Sequence, residues 1–181
     1  QEVQVCLTVG CPNPYDAMVM QREEDGIRHE VIVFDMARFL GYGERALGLV
    51  SRLTTHETAH ILMHKRWPVL AEDVPYRRQL QHLCFDEGFA HLLACGEEIA
   101  SFDFSGWVDQ YWEPSLQKLR EALACTDPEK QQECLIRATA GPYWEKFACI
   151  TGKLYLAQHR DQLVSIYSEG PDRFLPELFL P

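Results

Sequence analysis

Between residues 54 and 64 the chain reads TTHETAHILMH: His56, His60 and His64 recur every fourth residue, and Glu57 directly follows the first. Residues four apart lie on one face of a helix, one turn from each other, so the imidazoles of His56 and His60 can point at a single cation. Zinc takes such nitrogens at about 2.0–2.1 Å. Glu57 is turned by about 100° from its neighbour. It can therefore reach a water on the metal without ligating the metal itself. A carboxylate so placed is the general base for attack of that water on a carbonyl. By composition alone, H-E-x-x-H arises in about one of forty shuffled chains, so the motif needs a third ligand to support it.

One source of that ligand fails. The extension x-x-G-x-x-H requires Gly at 63 and His at 66, where this chain has Met63 and Arg66. His64 is about 12 Å along the helix axis from His56, too far to share its ion, and reads as a histidine without a ligand role. The other source is a carboxylate from a later helix. Glu87, in CFDEGFAHLLA, lies 27 residues after His60 and is followed by the small residues Gly88 and Ala90, which suit the close approach of two helices.

HETAH and DEGFA together resemble the gluzincin metallopeptidases, whose glutamate helix often carries E-G-x-A. DEGFA is similar to the NEGFA of the zinc aminopeptidases, although their GAMEN segment is absent here. The length, the early strands and GCPNPYDA resemble the minimal gluzincins and related predicted zinc proteases more than the large aminopeptidases. The motif match covers residues 54–64 and 84–94, and the remainder is similar in layout only.

The resemblance implies a zincin-like fold and a Zn2+ cofactor held by His56, His60 and Glu87. With Glu57 as base, it implies hydrolysis of a peptide or protein substrate. In thermolysin-like members an aspartate four residues after the glutamate orients a ligand histidine. His91 stands at that place, a weaker orienter that either hydrogen-bonds behind the ligands or packs beside Phe89. Gluzincins often stabilise the oxyanion with a tyrosine or histidine from a later segment. Tyr143, in GPYWEKF, is the first candidate for that catalytic role, followed by Tyr155 and His159; against each stands the commoner role of a helical aromatic, packing into the core. PYDAMVM (14–20) resembles the edge strand that pairs with an extended substrate in this class. The alternative function is a non-catalytic, zinc-stabilised peptide-binding or regulatory protein. A site complete with its base favours the enzyme, because a structural zinc usually has four protein ligands.

The elements that must position these groups read as an α+β chain of 181 residues, one domain by length. A small, mostly antiparallel N-terminal sheet (1–43) packs on the zinc-binding helices (44–100), and a helical subdomain (101–181) follows. Alternation places strands at 2–9, 16–21 and 28–34, with turns at GCPNP (10–14) and REEDG (22–26). Helical spacing runs from 44 to about 67, where Pro68 stops it, and from 75 to 95, with Gly96 as the C-terminal cap. SFDFSGW reads as a loop. Helices at 114–125, 128–139 and 142–159 each open near a proline, and EGPDRFLPELFLP closes the chain as a short helix or loop.

Composition narrows the partners. The net charge of −10 argues against nucleic acid and anionic membrane surfaces, which call for basic patches. No stretch approaches the ~20 apolar residues of a membrane span. VQVCLTVG lacks the basic flank of a signal peptide. Seven cysteines without a CxxC exclude the usual thiolate zinc clip and fit a reducing, cytoplasmic setting.

Overall fold

The computed structural model describes residues 3–11, 15–71 and 73–179. The chain divides into two compact units, 1–66 and 67–181. Most of the expected turn at 10–14 lies outside the described residues.

The first unit holds a three-stranded sheet of β1 (Gln4–Thr8), β2 (Ala17–Glu24) and β3 (Ile27–Asp35), in the order β1-β3-β2. β2 and β3 form an antiparallel hairpin in register from Ala17↔Phe34 to Glu24↔Ile27. Its turn is shorter than REEDG suggests. Asp25 and Gly26 alone make it, with φ of 53° and 76°, the pair of left-handed residues that a two-residue hairpin matching strand twist requires. Arg22, Glu23 and Glu24 therefore belong to the strand; they are exposed, and their charge hides the alternation. β1 departs from the mostly antiparallel expectation. It lies on the other side of β3 from β2 and runs parallel to β3, from Gln4↔Val31 to Thr8↔Asp35.

A five-residue helix, α1 (Met36–Leu40), follows β3 directly, too short to leave a periodic signal. Asp35 caps it: Oδ1 accepts from the amide of Ala37 (3.0 Å), while Oδ2 accepts from the amides of Cys11 (2.8 Å) and Gly10 (3.2 Å). Burial pushes the Asp35 carboxyl up, but these backbone donors outweigh it and hold the group below the ordinary aspartate value. α2 (Ala46–His64) then covers the sheet. Ala46, Leu49, Val50, Leu53 and Ile61 pack with Ala17, Val19, Ile32 and Phe34 of the strands and Phe39 of α1, at the spacing of one helical face.

The second unit is helical: α3 (Tyr76–Leu93), α4 (Ser105–Leu123), α5 (Pro128–Thr139), α6 (Phe147–Gln158), α7 (Leu163–Glu169) and α8 (Pro176–Phe179). α6 is its centre. Phe147 through Leu154 are all buried, against α3, α4 and α5. α3 and α6 cross backbone to backbone. A Cβ on Gly88 would lie 2.7 Å from the carbonyl carbon of Gly152, and one on Gly152 would lie 2.0 Å from the carbonyl oxygen of Cys84. The room that Gly88 provides thus serves this crossing with α6.

α4 begins at Ser105, within the expected loop, where the Asp103 carboxylate accepts from the Ser105 amide at 2.9 Å. Pro114 lies inside α4 and not at its start. Aromatic packing sustains the turns before it: Trp107 touches Phe102, Phe104 and Trp144, and Tyr111 stacks on Trp144 at 3.7 Å. α5 starts as expected with Pro128 in its first turn, and Asp127 caps it. The expected helix 142–159 is broken at Lys146 (φ −70°, ψ 77°) into a 3₁₀ turn, Tyr143–Glu145, and α6. All seven cysteines are free thiols. Among the described residues no helix is long and apolar enough to cross a membrane.

Candidate metal centre

In the first unit, α2 carries two adjacent rows of side chains. Leu53, Glu57 and Ile61 form one row at four-residue spacing, and His56, His60 and His64 form the next. Glu57 thus stands in line with the residues that face the sheet, and it is buried, as is His60. The Nε2 atoms of His56 and His60 are 3.1 Å apart. A tetrahedral zinc with Zn–N bonds of 2.0–2.1 Å separates two nitrogens by about 3.3 Å, close to the spacing of this pair. His64, the next in the row, reaches β3. Its Nδ1 lies 2.8 Å from Glu30 Oε1 on β3, and its ring stacks on that of His60 at 5.8 Å.

In the second unit, Glu87 sits on α3 with Oε2 3.5 Å from His91 Nε2 and 3.5 Å from Cys149 Sγ of α6. The ligand-bearing atoms of these three residues lie within 4.8 Å of one another. The turn from 87 to 91 puts His91 beside the Glu87 carboxylate, so its neighbour is a glutamate where the resemblance implied a histidine partner. The thiol of Cys149 is pushed far above its ordinary pKa, first by complete burial and then by the charge of Glu87. It is therefore held as S–H, a weak donor to the carboxylate and to the carbonyl of Ala138.

Tyr143, in the 3₁₀ turn before α6, packs its ring edge-on to His91 at 5.5 Å and its hydroxyl accepts a hydrogen bond from Lys153 Nζ at 2.9 Å. Tyr155 and His159, the other oxyanion candidates, go elsewhere. Their rings pack on each other at 4.3 Å, and Tyr155 lies against Phe174. Spacing gave no sign of Cys149, Trp107 or Lys153. Cys149 in FACITG reads as a small buried apolar residue, which it is, apart from its contact with Glu87. Lys153 did carry a signal: it is the lone cation of the otherwise apolar run FACITGKLYLA.

Compared with protein-family models, with curated proteins and with solved structures, the chain matches none of them.

Proposed function

We propose that the protein is a zinc-dependent metallopeptidase of gluzincin type with a zincin-like fold, in which His56, His60 and Glu87 hold the metal. The observation that carries this reading is the 3.1 Å separation of the His56 and His60 nitrogens on a helix that buries Glu57 one row away. Zinc, when bound, supplies Lewis-acid activation of a water and a carbonyl. Glu57 takes the proton of the attacking water and returns it to the leaving amine. Tyr143 donates its phenolic hydrogen to the oxyanion that develops on the carbonyl. His91 and Cys149 steady the Glu87 carboxylate through Oε2. Among the described residues β2 borders β3 on one side only, and an extended peptide substrate adds as the next strand along its other edge.

The test compares wild type with Glu57→Gln, both loaded with zinc and incubated with a broad peptide library read by mass spectrometry. Glutamine keeps the shape and cannot accept the proton. Cleavage should fall by about 10³-fold or more while zinc stays bound. Equal cleavage by both proteins would remove Glu57 as the base. A library left intact by zinc-loaded wild type would favour the zinc-stabilised binding protein.

A further inference from the structure

Lys153 lies in the middle of α6 with 2% of its surface exposed. Burying an ammonium is costly unless its donors are met, and among the described residues Lys153 enters no ion pair. Its contacts come from two aromatic residues instead. Nζ donates to the Tyr143 hydroxyl at 2.9 Å and sits 4.5 Å above the ring of Trp107 and 5.6 Å from the ring of Tyr143. The face of an indole attracts a cation, and it holds the head of the lysine at the phenol from beneath.

We propose that Lys153 is a positioning residue for Tyr143, an inference that rests on the metallopeptidase reading above. A phenolic oxygen has one hydrogen to give and lone pairs to receive. With Lys153 filling a lone pair from the buried side, the hydrogen of Tyr143 is left to point away from the core. Tyr143 itself is 39% exposed, and its ring borders His91, the neighbour of Glu87. A positive donor on the oxygen also polarises the O–H bond, so that it donates more strongly to an anionic oxygen. Lys153 touches no substrate; it fixes where the phenol points and how well it donates. Trp107, reached only through the fold, completes the arrangement by keeping the ammonium in place.

The experiment measures two probes on the zinc-loaded full chain: phenylphosphonate, whose tetrahedral anion resembles the oxyanion, and acetohydroxamate, a planar zinc chelator. Lys153→Met keeps the length and removes the donor; Tyr143→Phe removes the hydroxyl. Each should weaken phenylphosphonate by about 10-fold, the double variant no more than either alone, with acetohydroxamate and zinc content unchanged. Lys153→Gln, shorter but still an N–H donor, should fall between wild type and Tyr143→Phe, and it carries the test alone should the methionine variant not fold. Phosphonate affinity that drops in Tyr143→Phe but is unchanged in both lysine variants would overturn the proposal, as would additive losses in the double. Wild type that takes up no zinc, or binds neither probe when loaded, would instead overturn the metallopeptidase reading itself.

Discussion

The two clusters are gathered in different ways. In the first unit, His56, Glu57 and His60 come from five consecutive residues, and one helix is enough to align them. In the second, Glu87, His91, Cys149, Tyr143, Lys153 and Trp107 come from α3, α4, α6 and the turn before α6. Local spacing makes the first cluster, so it survives as long as α2 is a helix. Packing makes the second, and it depends on a glycine crossing with no space to spare. The first should therefore respond to mutation residue by residue, and the second as a unit.

The largest contrast is in metal affinity. His60→Ala removes a ligand outright and should weaken zinc by more than about 100-fold. His91→Ala removes only a neighbour of Glu87 and should weaken it by about 10-fold, the scale of partners behind a ligand. Titration of both variants against a competing chelator checks this. Equal losses would place His91 among the ligands and blur the distinction between the two clusters.

That contrast also explains what could be read from the sequence. The i, i+4 repeat of HETAH, the helical run of α2 and the proline start of α5 depend on neighbours within one turn, and all three were legible; which residues of α2 face the sheet was legible only in part, since Leu47 and Leu62 fit the helical spacing and are exposed. The Asp25-Gly26 turn was legible in kind but not in extent, because the charged end of β2 looks like loop. α4 was placed nine residues late, since Trp107 and Tyr111 are held by Trp144 and not by any local signal. The parallel pairing of β1 and the role of Gly88 opposite Gly152 are matters of tertiary contact. The same holds for Lys153: its oddity was visible, its partners were not.

A smaller effect sharpens the comparison through one substitution made in each unit. A Cβ on Gly152 would collide with the backbone of Cys84, whereas one on Gly48, exposed on α2, would meet nothing within 4 Å. Gly152→Ala should destabilise the protein by about 3 kcal/mol, because backbone cannot move aside as a side chain can. Gly48→Ala should stabilise it by about 0.5–1 kcal/mol, from helix propensity alone. Urea unfolding of both variants reads the signs. A neutral Gly152→Ala would show that the α3–α6 crossing is looser than the contact distances require.

The central claim is the ligand set, and X-ray absorption at the zinc edge tests it most directly. Zinc-loaded wild type should show two imidazoles and only oxygen otherwise, with one oxygen lost or replaced in Glu87→Ala. A sulfur scatterer at about 2.3 Å, which only a cysteine such as Cys149 could supply, or a spectrum unchanged in Glu87→Ala, would contradict the account.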